Sequence, residues 1–174
     1  LAHESGLPHY HVLQPEYNLV SRKKFEGELQ DLCVERNIAV TPYYGLASGF
    51  LTGKYRSKDD LGKSVRGGRM TAFMEGKGPA MLAALDEIAA ETGATLAQIA
   101  LAWLAAQPGV EAVMVAGTSL TFYRGFDEHE RLLEKLKALT GKPVGTMSSA
   151  VVEGLRTMGV QRVAVCTAYG DEVN

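Results

Sequence analysis

The chain has 174 residues, 46% of them hydrophobic and 22% charged, with a formal net charge of −2. This nearly neutral balance argues against nucleic acid as a partner, and no apolar run approaches the about 20 residues that a membrane-spanning helix needs. The two cysteines, Cys33 and Cys166, lie far apart in the sequence. Their usage predicts no disulfide framework, a reducing compartment and therefore a cytoplasmic location.

The first part of the chain alternates between predicted strands and helices. A strand over 11–14 is followed by a helix over 24–36, whose apolar residues recur at helical spacing. A second strand covers 37–44. The Gly-rich connection that follows it, 45–69, is longer than most loops in compact domains, which is typical of a functional or flexible loop.

The middle of the chain predicts two helices and a buried strand. The first helix covers 80–94 and the second covers 95–109. Thr95 begins the second helix and Gln98 follows three residues later, a pattern typical of a capping box. The strand covers 111–119.

The last part predicts an amphipathic helix over 128–141, strands over 142–147 and 161–169, and a helix over 148–159 between those strands. Two serines at the start of this last helix are its predicted N-caps: Ser148 and Ser149.

Five predicted strands joined through helices indicate an α/β fold with parallel pairing and right-handed crossovers. Five strands form an open doubly wound, flavodoxin-like sheet or part of a barrel. They do not complete an eight-stranded barrel, which takes about 250 residues.

Residues 1–108 carry three motifs in a characteristic order: "LQPEYNLVSR", "AVTPYYGLASGFLTGKYRS" and "ETGATLAQIALAWLAAQPGV". Together they resemble the C-terminal half of the barrel of the aldo-keto reductases, which reduce carbonyl groups with NADPH. The resemblance implies a TIM-barrel segment in this part of the chain.

The same resemblance implies roles in holding NADPH. Gln14 matches the residue that hydrogen-bonds the nicotinamide amide, and Tyr43 matches the aromatic that stacks on the nicotinamide ring. Leu46, Ala47 and Lys54 match a Gly-containing segment along the pyrophosphate, where backbone N–H groups approach phosphate. A plain packed aromatic is the alternative for Tyr43.

The resemblance also implies that the NADPH site is incomplete. The family's Tyr general acid and its Lys, Asp and His partners belong to the other half of the barrel. Four tyrosines have no Lys or Asp partner that can be read from the sequence: Tyr10, Tyr17, Tyr44 and Tyr55. His9 and His11 favour a surface position over a metal site, and no metal is predicted.

Residues 109–174 carry "MVAGTSLTFYRG" and "GKPVGTMSSAVVEGLRTMGVQRVAVCTAYGDEVN". This part is similar to an internal stretch of the arylmalonate decarboxylases, cofactor-independent enzymes of the aspartate/glutamate racemase and maleate isomerase superfamily. The similarity implies that Thr118, Ser119 and Tyr169 form a cradle for a carboxylate or enediolate oxygen, with Gly117 beside the reacting carbon. A turn and helix-entry role is the alternative for Thr118 and Ser119.

The proton donor of those enzymes is a Cys in a downstream Cys-Gly motif, which this sequence does not contain. Cys166 lies inside a predicted strand, where a packed, inert thiol is favoured. The second part needs no cofactor, and its expected ligand is a small carboxylate or dicarboxylate.

The two resemblances meet within about ten residues, without a Gly/Ser/Pro-rich linker between them. We therefore interpret the chain as a chimera of segments 1–108 and 109–174, forming one composite domain and prone to self-association through orphaned apolar faces. This interpretation leaves three candidate functions. The favoured one is an inactive fusion with residual carboxylate binding, the second is a decarboxylase of substituted malonates, and the third is an NADPH-dependent reductase fragment.

Overall fold

The computed structural model describes residues 4–63, 67–116 and 125–164. The chain divides into two compact units, Leu1–Glu111 and Ala112–Asn174. Both are of mixed α/β type with short parallel strands.

The elements of the first unit, in chain order, are β1 (Val12–Leu13), α1 (Glu28–Glu35), β2 (Ala39–Val40), three 3₁₀ helices (Ala47–Thr52, Lys58–Lys63 and Gly67–Met70), α2 (Thr71–Glu75), α3 (Gly78–Thr92) and α4 (Leu96–Ala105). β1 and β2 pair in parallel, with Val12 opposite Ala39 and Leu13 opposite Val40. α1 connects them as the crossover helix. The predicted strands and helix of this region are confirmed, although each is shorter than expected.

The predicted Gly-rich loop over 45–69 contains three 3₁₀ helices, which occupy most of its described residues. Phe50, Leu51 and Tyr55 are 0% exposed in this segment. Burial of these large apolar side chains anchors the backbone in short helical turns. Gly53 ends the first of these helices in the left-handed conformation, at φ +79°.

The termini of α3 and α4 follow the sequence pattern closely. Gly93 ends α3 in the left-handed conformation, with φ +70°. Thr95 caps α4, accepting the N–H of Gln98 on its hydroxyl while the Gln98 side chain accepts the N–H of Thr95 at 2.8 Å. The predicted capping box is therefore confirmed.

Two apolar clusters form the core of the first unit. One joins the 3₁₀ segments to α3 and α4 around Phe50 and Leu82. The other surrounds Tyr17 and Val40 beneath the small sheet. Trp103 packs against both clusters, so α4 links the sheet to the helical part of the unit.

The second unit contains β3 (Val113–Val115), α5 (Phe126–Thr140), β4 (Val144–Thr146) and α6 (Met147–Thr157). β3 and β4 pair in parallel, with Val113 opposite Val144 and Val115 opposite Thr146. Gly141 follows α5 as its C-cap in the left-handed conformation, with φ +63°.

The N-cap of α6 differs from the prediction. Thr146, the last residue of β4, is the cap, and its hydroxyl accepts the N–H of Ser149 at 3.0 Å. The hydroxyl of Ser149, the third residue of the helix, accepts the backbone N–H of Thr146 in turn at 2.8 Å. Ser148 is inside the helix. Because β4 and α6 adjoin without a connecting residue, the cap lies two positions before Ser148 and three before Ser149.

The described residues form two two-stranded parallel sheets and not one five-stranded sheet. Of the predicted strand over 161–169, residues 161–164 are described and have no regular structure. The rest of that prediction lies outside the described residues.

No single helix in the described parts of the chain is both long and apolar enough to cross a membrane; α3 and α4 meet that length and composition only as a pair bent by 98°.

Candidate functional site

The carboxyl ends of β1 and β2 bring two predicted cofactor residues to one edge of the first sheet. Gln14 directly follows β1, and Tyr43 lies three residues after β2. The pairing continues beyond the strands, because Tyr43 donates its backbone N–H to the Pro15 carbonyl at 3.0 Å and bridges to Glu16. Gln14 and Tyr43 are both exposed, so a ligand at this edge has access to an amide and an aromatic ring.

Tyr43 and Tyr44 form an exposed aromatic pair at this edge. Their ring centroids are 5.1 Å apart with an interplanar angle of 66°, an edge-to-face contact. Tyr43 is 42% exposed and Tyr44 is 46% exposed. Exposed rings in such a pair offer stacking area to a planar ligand.

Asn18 holds the backbone behind this pair, a role that sequence reasoning missed. Its side chain is 0% exposed. The amide donates to the Tyr44 carbonyl at 2.9 Å, and the side-chain oxygen accepts the N–H groups of Val20 and Ser21 at 3.0 and 2.9 Å. Tyr44 has φ +55°, which costs energy in a residue other than glycine. The signal in the sequence was an Asn placed to form a local side-chain turn.

In the predicted pyrophosphate segment, the side chains of Leu46 and Ala47 face the protein core. Ala47 is 1% exposed, and Leu46 packs against the core. The backbone bends sharply through Ala47 and Ser48, at φ +48° and +56°, into Gly49 at +99°. Within this bend the N–H of Ala47 is donated to the Tyr44 carbonyl at 2.7 Å and that of Gly49 to the Leu46 carbonyl at 2.9 Å.

Lys54 adds a positive charge beside this bend. Its ammonium lies 5.1 Å from the centre of the Tyr55 ring, a cation–π distance. The end of the Lys54 side chain borders Gly49, since a Cβ there would stand 3.4 Å from Lys54 Cε. The structure thus places the Lys54 side chain beside the Ala47–Thr52 segment.

Tyr17 is packed in the core of the first unit and is not an exposed general acid. It is 0% exposed and donates its hydroxyl to a Glu26 carboxylate oxygen at 2.8 Å. Burial, followed by this hydrogen bond, raises the pKa of Tyr17 well above its usual range. Arg22 binds the same carboxylate at 2.7 Å and holds the pKa of Glu26 below its usual value.

The predicted carboxylate cradle lies outside the described residues: Gly117, Thr118, Ser119 and Tyr169, and with it Cys166. Its neighbourhood in the second unit is described in part. The β3–β4 register places Val115, two residues before Gly117 in sequence, opposite Thr146 at the start of α6.

A buried polar network surrounds Thr146, and sequence reasoning missed it too. Thr146 is 0% exposed and His129 is 8% exposed. His129 Nε2 lies 2.8 Å from Thr146 Oγ1, which lies 3.0 Å from Ser149 Oγ. This network ties α5 to the start of α6. A single His on a helix gives no sequence signal for such a contact.

No cluster of three or more His, Cys, Asp or Glu side chains within the described ranges could hold a metal ion. His9 and His11 have ring centroids 4.3 Å apart and are both exposed.

Two family sequence models match the chain. The model described as aldo/keto reductase family matches residues 2–124, and the model described as arylmalonate decarboxylase matches residues 80–174. The matches overlap over 80–124, which includes most of α3 and all of α4 and β3. These middle elements are therefore compatible with both families.

Individual relatives of both kinds are similar to the chain. Arylmalonate decarboxylase of Bordetella bronchiseptica is 50% identical over 66 residues, 38% of this chain and 28% of the relative. A probable voltage-gated potassium channel subunit beta of Oryza sativa subsp. japonica is 34% identical over 145 residues, 78% of this chain and 40% of the relative. The aldo-keto reductase yakc [NADP(+)] of Schizosaccharomyces pombe is 32% identical over 117 residues, 64% of this chain and 34% of the relative. The chain thus spans well under half the length of these relatives.

Proposed function

The chain belongs to the aldo/keto reductase family through residues 2–124 and to the arylmalonate decarboxylase family through residues 80–174, and on that premise we propose that it is a fusion of two partial enzymes. In this proposal the chain by itself has no complete catalytic set. Its remaining activity is the binding of a small carboxylate or dicarboxylate by Thr118 and Ser119. The two overlapping family matches, over residues 2–124 and 80–174, support a fusion.

The observation that carries the carboxylate site is the pairing of β3 with β4. Val115 opposite Thr146 sets the carboxyl end of β3 beside the N-terminus of α6. Thr118 and Ser119 come three and four positions after Val115, the last residue of β3. Hydroxyls near a helix N-terminus favour a carboxylate, because the backbone dipoles of the helix point their positive end towards it.

Phenylmalonate is the probe for this site. Isothermal titration should detect weak binding that is lost in the double variant Thr118→Ala/Ser119→Ala and retained in Thr121→Ala, which removes a neighbouring hydroxyl. Release of CO2 should stay at the buffer rate. Catalysed release of CO2 would contradict the proposal of an inactive fusion and favour the decarboxylase alternative, for which Cys166→Ser then tests the proton donor.

Vestigial NADPH binding by the first unit is the second candidate. It rests on Gln14 and Tyr43 at adjacent strand ends, with Lys54 beside the left-handed bend. The printed name of the Schizosaccharomyces pombe relative, which includes NADP(+), supports this cofactor. The proposed fold here is a partial barrel, which leaves the cofactor site incomplete and the affinity low.

Trp103 is the single Trp of the chain and reports on this candidate by fluorescence. NADPH should quench it saturably, and Tyr43→Ala should weaken the binding by about tenfold through the lost ring contact. Tyr10→Ala is the matched control, because Tyr10 is 86% exposed and precedes β1, at the opposite end of the strand from Gln14. A flat NADPH titration of the unaltered chain removes this candidate.

A further inference from the structure

A cavity of about 400 Å³ lies in the first unit, between the 3₁₀ helices and the helices α2 and α3. Its floor is formed by Phe50, Tyr55 and Leu82, which are buried, and Met74 and Pro79 stand at its wall. None of the residues assigned above to cofactor or carboxylate binding lines it. We propose that this cavity, called here the α2–α3 cavity, binds a small neutral aromatic molecule.

The size and the lining of the α2–α3 cavity favour an aromatic ligand. Its volume falls at the lower end of the range of about 300 to 1,000 Å³ found for small-molecule sites. The Phe50 ring already packs on Phe73, with centroids 5.4 Å apart. A ligand ring extends this aromatic contact and meets the polarisable sulfur of Met74.

The charges at the rim favour a neutral ligand. The Arg56 guanidinium makes two hydrogen bonds to the Asp86 carboxylate, at 2.7 and 2.8 Å, and a third to the Gly53 carbonyl at 2.8 Å. Its charge is therefore matched within the protein. The other two charged residues at the rim, Lys58 and Glu75, have opposite signs. With the rim charges balanced, a charged ligand loses its hydration without gaining a net attraction.

Most of the cavity wall is held in place. Asp60 accepts the backbone N–H groups of Arg56 and Ser57 at 2.7 and 2.8 Å, which fixes the segment at the rim. Gly78 begins α3 so close to Phe50 that a Cβ would stand 2.6 Å from the ring. A pre-formed wall reduces the ordering cost of binding.

Met74 is the adaptable part of the wall. Phe50 and Tyr55 are 0% exposed, so a ligand reaches the floor only when a wall side chain moves. Met74 is half-buried, and its three side-chain torsions make that movement easy. The affinity should therefore respond to the size of residue 74.

The probe for the cavity is 2-naphthol, titrated into the ¹⁵N-labelled full chain. Its binding should shift the backbone amide signals of Thr71, Met74 and Glu75, with a Kd below about 1 mM for a ligand of this size. The anionic analogue 2-naphthalenesulfonate should bind at least about tenfold more weakly. Absence of saturable shifts at 2-naphthol concentrations above 1 mM, shifts centred elsewhere, or equal affinity for the two probes would overturn the proposal.

Two substitutions at one position separate cavity filling from general damage. Met74→Trp places a larger ring in the cavity and should weaken 2-naphthol binding by about tenfold or more. Met74→Leu keeps a similar volume and should leave the Kd within about threefold. Unchanged binding in Met74→Trp contradicts the assigned location, and thermal melts of both variants establish that they fold. If Met74→Trp does not fold, the location of the site is judged from the amide shifts of the unaltered chain.

Discussion

The side-chain amide of Asn18 donates a hydrogen bond to the main-chain carbonyl of Tyr44, at 2.9 Å. The bond crosses from the segment after β1 to the segment after β2. It holds Tyr44 at φ +55°, a conformation that the residue would not adopt without support. One buried side chain thereby fixes the direction in which the chain leaves the first sheet.

Replacing Asn18 by Ala should lower the free energy of unfolding by about 2 kcal/mol, because three backbone groups lose their partner in a buried site. Asn18→Asp keeps the acceptor for Val20 and Ser21 but loses the donor to Tyr44. Asn18→Asp should therefore also have a lower free energy of unfolding than the unaltered chain, as measured by urea unfolding. An Asn18→Ala variant of unchanged stability contradicts the importance of this contact.

The stability of the first unit should depend on the charge of Asp60. Lys63, followed by the backbone N–H groups of Arg56 and Ser57, holds the pKa of Asp60 well below 3.8. A lowered native pKa means that the unfolded chain takes up protons first as the pH falls. The stabilisation is present above pH 3.8 and is lost progressively below it.

Urea midpoints measured from pH 6 to pH 2 check this expectation. Asp60→Asn should be less stable than the unaltered chain at pH 6, and the difference should shrink as the pH falls towards 2. Asp59→Asn is the matched control, since the neighbouring carboxylate does not accept the two N–H groups bound by Asp60. A difference independent of pH would show that charge is not the cause.

Two glycine substitutions should have opposite effects. Gly78→Ala brings a Cβ against the Phe73 carbonyl oxygen and to 2.6 Å from the Phe50 ring, so it should cost about 2 kcal/mol of stability. Gly154→Ala lies inside α6 with open space around it and should add about 0.5–1 kcal/mol. Thermal unfolding compares both with the parent. Equal effects of the same sign would contradict the local packing described here.

Thr146 should be the principal cap of α6. Thr146→Val keeps the shape but loses the hydroxyl that serves Ser149 and His129, and should cost about 2 kcal/mol. Thr146→Ser retains the hydroxyl and should cost less. Far-UV circular dichroism during urea unfolding reads the loss of helix. If the two variants behave alike, the hydroxyl is not the stabilising group.

Local features of the fold were predictable because the residues that cause them lie close together in sequence. Thr95 and Gln98 meet within one helical turn, and Gly93 and Gly141 end helices through their own backbone freedom. The pairing of strands depends on distant contacts. The number of strands in each sheet was therefore beyond reach, as was the burial that orders the segment around Phe50.

The same distinction between local and distant contacts applies to the candidate sites. Gln14 and Tyr43 follow neighbouring parallel strands, so their meeting at one edge could be predicted from topology. The contact of Asn18 with a carbonyl 26 residues away could not. Nor could the approach of His129 to Thr146, since a lone helical His fits many surroundings.

The short crossovers of the two sheets have a consequence for synthesis of the chain. Paired residues lie 27 positions apart in the first sheet and 31 in the second. Each sheet can therefore pair once its second strand has been translated, and domains fold as units from the N-terminus onwards during synthesis. Leu1–Glu111 can complete its core on the ribosome before the second unit has been made. The ribosome itself would then keep the two folding reactions apart in time.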